Sequence, residues 1–415
     1  MKLKEVAKTY SGLPKGIYII FISRVVNKMG NFVYPLMTLL LTIKVGMSEE
    51  KIGLFMLVCA AVQLPGSLLG GKLADHIGRK KIITVSMSIA AASFLPCAFL
   101  KDYSLMPVFF ISAAFFNSIS GPASGAMVND LTVPENRQRA FSLLYLGINF
   151  GSALGSVIAA MLFNNYIGDA VTSLIAIFLI YKYVDETKPT ANQIEDGFRK
   201  DTFEKSEKGG LLSALLKRPL LLVFSLIDTI YSFVYAQSMF SMPLYSRKIF
   251  GDVLGPQYYG TFNMVNCLFV IFATTIIVNI TKKVKDIYNI SLAGIFFAAG
   301  FGMLYFVNSY WPFVISTIIW TTGEILNVTN IGVYIANRTP MTHRGRFNSI
   351  IDIISGTGFA IAPYVMGKYI TVHGVGAVWP VIFVLALSAA FFMMILGIFE
   401  NRNKTKEVLS NGKVF

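Results

Sequence analysis

The sequence predicts an all-α membrane protein of twelve transmembrane helices in two six-helix halves. Three observations predict it. Of 415 residues, 54% are hydrophobic and only 14% charged, against about 25% charged in soluble domains. The apolar residues gather into twelve runs long enough to supply the roughly 20 residues that cross a hydrocarbon core of about 30 Å. The one long polar stretch lies mid-chain, with six runs on either side. A β-barrel would show segments of about 10 residues with alternating polarity, and the chain has none; the bilayer allows only these two spanning solutions.

The runs, taken as spans 1 to 12, cover residues 14–44, 49–70, 80–100, 105–127, 140–163, 166–184, 218–246, 256–280, 287–308, 311–336, 347–370 and 376–399. The polar stretch starts at Asp185, reads DETKPTANQIEDGFRKDTFEKSEKGG, and mixes both charge signs with Pro and Gly. That composition predicts a linker over 187–217. It separates a bundle at 1–186 from a second bundle with a basic tail at 218–415.

The formal charge of +14 is explained by its distribution. With the N-terminus inside, six of the 36 Lys and Arg fall in outer segments (Lys44, Lys51, Lys101, Arg247, Lys248, Lys368). Arg24 and Lys28 lie within span 1, and the other 28 occupy inner loops and tails. This is the positive-inside pattern, which predicts a multi-pass protein of the cell membrane with both termini cytoplasmic. The charge therefore marks topology and contact with membrane lipids, not nucleic acid. Cys59, Cys97 and Cys267 lie in apolar spans without a CxxC or Cys/His cluster, so no disulfide, metal or cofactor is expected. The first span is too long for a signal-peptide core. No nucleotide-binding loop and no catalytic constellation is present, which disfavours a pump or an enzyme.

Sliding the chain against itself reveals a weak repeat at an offset of 207. Arg139 falls on Arg346, Gly151 on Gly358, Ser156 on Pro363, and Asn117 on Glu324; PENRQRAFS matches MTHRGRFNS. Duplication of a six-helix unit is one transporter plan.

Between spans 2 and 3 stands Gly71-Lys72-Leu73-Ala74-Asp75-His76-Ile77-Gly78-Arg79-Lys80. It closely resembles the G-x-x-x-D-R-x-G-R-R/K signature of the major facilitator superfamily, with His76 in place of a basic residue. Gly71 and Gly78 suit close packing and a tight turn; Asp75 can accept from a helix end, and Arg79 and Lys80 suit the anionic leaflet. The alternative is an ordinary basic turn. Gly323-Glu324 in span 10 and Gly147 to Ser152 in span 5 look like the drug:proton antiporter branch, although Phe141-Ser142 and Tyr145 are also similar to proton-coupled peptide transporters. The antiporter arginine of span 4 is absent, where the frame reads Asn117 to Gly121, and Ser156 replaces a proline. The E-x-x-E-R motif of peptide transporters is absent too.

The resemblance implies that spans 1, 4, 7 and 10 line a central cavity between the halves. Charges near the bilayer centre cost at least about 2.5–3.5 kcal/mol each, and Arg24, Lys28, Asp228 and Glu324 fall on three of those spans. Glu324 and Asp228 are expected to couple protons, the alternative being a static bridge to Arg24. Arg24, Asn27, Asn31, Tyr34, Asn117, Tyr231, Tyr235 and Asn327 are the candidate substrate contacts, each alone explicable as a packing hydrogen bond. Asp352, with Arg344 and Arg346, is expected to act with Gly71, Asp75, Gly78, Arg79 and Lys80 in gating. The expected partners are a small-molecule substrate, protons and lipids, with the protein a monomer. Proton-coupled export of amphipathic compounds is the expected function; import of peptides or similar nutrients, and a sensor or lipid scramblase of the same fold, are the alternatives.

Overall fold

The computed structural model describes residues 10–31, 33–100, 102–161, 166–188, 219–336, 338 and 344–410. Its helices are α1 (Lys15–Met29), α2 (Val33–Leu40), α3 (Glu49–Ile77), α4 (Arg79–Phe94), α5 (Met106–Asp130), α6 (Pro134–Met161) and α7 (Tyr166–Tyr183). After the linker region, most of which lies outside the described residues, come α8 (Pro219–Ala236), α9 (Ser241–Thr281), α10 (Asp286–Met303), α11 (Tyr310–Ala336), α12 (Arg344–His373) and α13 (Val378–Ser410).

Two of these differ from the predicted spans. Span 1 is not one helix: α1 stops at Met29, and α2 resumes at Val33 and ends in a π-helical turn, Leu41–Val45. Proline at 35 has no N–H to give the carbonyl four residues earlier, at Asn31, and Gly30 presses its bare backbone against Thr172. Spans 7 and 8 meet inside α9, where Gly251 takes φ 82°. That left-handed value favours glycine and turns the chain from one span into the next.

By length and apolarity, six segments of described residues qualify as membrane-crossing: Glu49–Ile77, Arg79–Ala98, Tyr103–Asp130, Pro219–Thr281, Asp286–Phe306 and Val375–Arg402. The fourth holds two spans. α6, α11 and α12 run 28, 27 and 30 residues, so with α1–α2 and α7 the described helices make up twelve segments. Large apolar side chains cover their outer surface, among them Leu68, Phe99, Phe272, Ile280 and Val372, each above 70% exposed. An apolar exterior of that extent fits lipid as solvent.

The duplication appears in which helices pack together. In the first half α1 packs on α6 and α7, and α4 on α5 and α7. In the second half α8 packs on α12 and α13, and α10 on α11 and α13. These are the same pairings one repeat later. Small residues make them possible. A Cβ on Gly151 of α6 would lie 2.5 Å from the Val25 carbonyl of α1; its counterpart Gly358 of α12 meets the Thr229 carbonyl of α8. By Cα packing, one compact unit gathers the described residues of 1–203 and 246–271, the other those of 204–245 and 272–415. Within the first, Asn263 of α9 donates to the Ser156 hydroxyl of α6.

Candidate functional site

Polar residues on α1 are held by its neighbours. Ser23 donates to the Ala176 carbonyl of α7 at 2.9 Å, and Asn27 Nδ2 donates to Ser173 Oγ, also on α7, at 3.2 Å. Arg24 Nη2 donates to Ser124 Oγ of α5 at 3.2 Å. On the opposing face Gly147, Gly151 and Gly155 of α6 receive Phe21, Val25, Lys28 and Met29. Glycines at every fourth position make one flat stripe, so the backbone of α1 is fixed where Arg24 and Lys28 project. Asn31 lies in the break after α1, and Asn117 is exposed on α5.

In the second half Asp228, Tyr231 and Tyr235 lie one and two turns apart on α8 and share a face. Asp228 is 4% exposed and Tyr231 wholly buried. Tyr235 Oη donates to Glu324 Oε1 of α11 at 2.9 Å. The Tyr235 ring meets Trp320 edge-on at 6.1 Å and Phe297 at 6.3 Å. Trp320 precedes Glu324 by one helical turn and Asn327 follows it by nearly one, placing all three on one side of α11. Trp320 Nε1 and Asn327 Oδ1 are buried with no hydrogen-bond partner among the described residues. The site thus combines an anchored carboxylate, aromatic walls, an unmet donor and an unmet acceptor. A carboxylate has about four acceptor sites, and the tyrosine occupies one of those of Glu324. Aromatic faces favour flat or cationic groups.

The turn between α3 and α4 forms a second cluster. Gly78 takes φ 123°, and a Cβ there would sit 2.5 Å from the Glu186 carboxylate, so no other residue fits. Arg79, 8% exposed, pairs with Asp75 at 3.2 Å and with Asp130, the last residue of α5, at 3.0 Å. Glu186, just beyond α7, accepts from the backbone N–H groups of Arg79 and Lys80 at 2.8 and 3.1 Å, and the Lys80 ammonium lies over the Tyr181 ring. Gly71 does not carry close packing here: its nearest neighbour would be Pro122 Cβ at 3.8 Å, an ordinary contact. Gly66 and Gly70 do so instead, against Ser118 and the Ile119 carbonyl.

A matching cluster in the second half was not anticipated from the sequence. Arg338 pairs with Asp286 at 3.1 Å and with Glu400 at 2.6 Å, and its guanidinium lies 3.5 Å over the Tyr334 ring. The Tyr334 hydroxyl donates to Glu400. The available signal was the repeat itself: an offset of 207 carries Arg79 onto Asp286. The side chains of Tyr34, Arg344, Arg346 and Asp352 lie outside the described residues.

Comparison with known proteins agrees with this architecture. The Major Facilitator Superfamily model matches residues 19–340 and 285–414. An uncharacterized MFS-type transporter, YttB of Bacillus subtilis, is 24% identical over 388 residues, covering 90% of this chain and 93% of its own. A Na(+), Li(+), K(+)/H(+) antiporter of Planococcus maritimus is 23% identical, with 75% and 79% covered. Among solved structures, a peptide transporter POT in complex with sulfate superposes with a TM-score of 0.74 over 94% of this chain and 96% of that one, at 15% identity, a likeness of fold alone. With residues 19–414 matched and its helices paired in the same way in both halves, the chain belongs to the Major Facilitator Superfamily.

Proposed function

We propose that the protein exports small amphipathic compounds from the cell in exchange for protons, by alternating access. Secondary transport follows from the family; direction, substrate and coupling ion are this reading's own. The observation that carries it is Glu324, held by Tyr235 beside Trp320 within a span. An acid at that depth is costly when charged and dry, so it takes a proton as water is excluded and gives it up when water returns. The aromatic walls and the unmet donor and acceptor beside it suit an amphipathic, cationic or flat substrate. The Planococcus relative's name pairs alkali cations with protons, and a carboxylate can serve either, so Na+ belongs among the coupling ions tested. Asp228, one face-turn below Tyr231, is the second coupling candidate. The Arg79 cluster is assigned to gating.

A second reading rests on Arg24 and Lys28. Two cations one turn apart in a span favour a substrate bearing a carboxylate, as in uptake of peptides or similar nutrients.

The test is transport of a compound panel in vesicles of defined orientation with an imposed pH or Na+ gradient. Export predicts that hydrophobic cations move against the proton gradient; accumulation of carboxylate compounds with inward protons would replace it by the second reading. Transport of neither class under any gradient would leave the sensor or scramblase alternative. Orientation is checked separately on a cysteine-free background. Cysteines at Lys205 and Lys406 should label only from the cytoplasm, and those at Asp102 and Asp252 only from outside. Labelling of the linker and tail positions from opposite faces would overturn the topology.

A further inference from the structure

The second half has a cavity of about 430 Å³ where the end of α9, the start of α10, the end of α11 and α13 converge. In the first half the corresponding place is filled by the chain itself. Glu186 lies across the start of α4, Thr187 donates to Asp130, and the Lys188 ammonium donates to the His76 carbonyl at the end of α3. Among the described residues the second half shows no equivalent: Glu400 turns to Arg338, and α13 continues as helix to Ser410.

Three features of the cavity identify an occupant. Lys282 and Lys285 stand exposed at its mouth, and among the described residues neither pairs with a carboxylate; the Lys285 ammonium donates to the Asn401 amide oxygen. Asn289, 2% exposed, lines the wall. Its amide donates to Asn330 and to two backbone carbonyls, while its Oδ1 has no partner among the described residues and calls for a donor. Val278, Val284 and Val333 form an apolar rim, 38–50% exposed. An anion for the lysines, a hydroxyl for Asn289 and an apolar body for the valines are the parts of one molecule. We propose that this cavity binds the phosphoglycerol headgroup of an anionic membrane lipid, its acyl chains lying along the valine rim. Basic pockets between helices on the cytoplasmic side, the face assigned above to these loops, recognise such headgroups. An ammonium headgroup is disfavoured by Lys282 and Lys285, since the two carboxylates of the wall, Asp286 and Glu400, already pair with Arg338.

The test uses the full-length purified protein, with binding read by native mass spectrometry and thermal shift. Short-chain phosphatidylglycerol should bind, while short-chain phosphatidylethanolamine and glycerol 3-phosphate should bind at least about tenfold more weakly. The Lys282→Gln/Lys285→Gln protein, altered only at exposed positions, should lose at least about tenfold in lipid affinity. Lys283→Gln, a neighbouring lysine outside the cavity wall, should stay within about twofold. Equal loss with Lys283→Gln would reveal unspecific surface charge, and equal binding of the ethanolamine lipid would remove the headgroup assignment. Glycerol 3-phosphate binding as tightly as the lipid would assign the cavity to a soluble phosphate. Any of these overturns the proposal.

Discussion

At the α3–α4 turn the cation, Arg79, begins α4 and its acid, Asp130, ends α5; at the corresponding turn of the second half the acid, Asp286, begins α10 and the cation, Arg338, follows α11. Both junctions tie the same three helices of their repeat together, with the signs exchanged. Helix dipoles make the two unequal. Asp286 at a helix start and Arg338 at a helix end each sit where the partial charge of the backbone favours them. Arg79 sits at a helix start, where it is disfavoured, and the Glu186 carboxylate on the first N–H groups of α4 offsets this. Exposure differs as well: the Asp75 side chain is 71% exposed, whereas those of Asp286 and Glu400 are 10% and 7% exposed. The comparison teaches that duplication preserved the position of an ion pair and not its polarity. One copy became a largely buried brace; the other kept a member in water, which suits a contact that breaks and re-forms.

The largest effect should come from the largely buried brace. Arg338→Gln leaves two buried carboxylates without their cation and should cost about 3–5 kcal/mol of stability, read as a large fall in the thermal midpoint of the detergent-solubilised protein. A loss below about 1 kcal/mol would mean that the second junction is as solvated as the first. Glu186→Gln comes next, at about 1–2 kcal/mol, because it weakens both the helix-start contact and the balance against Arg79. An unchanged midpoint there would remove the dipole argument. Asp75→Asn should change stability by less than about 0.5 kcal/mol, as an exposed pair is worth little. It should nevertheless slow turnover while leaving substrate binding intact. Normal turnover in that variant would deny the first junction its gating role.

Much of this architecture was legible in the chain. Gly151 and Gly358 fell on one another in the repeat, and both are close helix contacts in the structure, since a missing Cβ has one simple consequence in a membrane helix. The motif around Gly78 and Arg79 was visible for the same reason: a turn with positive φ admits few residues. The break after Met29 was missed because an apolar run reports burial in lipid and not the continuity of its hydrogen bonds. Gly71 was named for close packing because it stands in the motif, and spacing alone cannot say that Gly66 and Gly70 are the ones that meet the neighbour. The Arg338 cluster was hidden by its reversed polarity, since Asp286 stands where the repeat would put a second arginine. Trp320 was one aromatic among many until Tyr235 and Glu324 lay beside it.

The embedded charges divide between the halves too, Arg24 and Lys28 in the first, Asp228 and Glu324 in the second. The central claim is that Glu324 carries the proton. Glu324→Gln mimics the protonated acid and can still accept from Tyr235, so fold and binding should survive. Reconstituted in vesicles, it should lose all gradient-driven accumulation while retaining counterflow exchange, which moves no net proton. A Glu324→Gln protein that still concentrates substrate with unchanged dependence on the pH gradient would contradict the account.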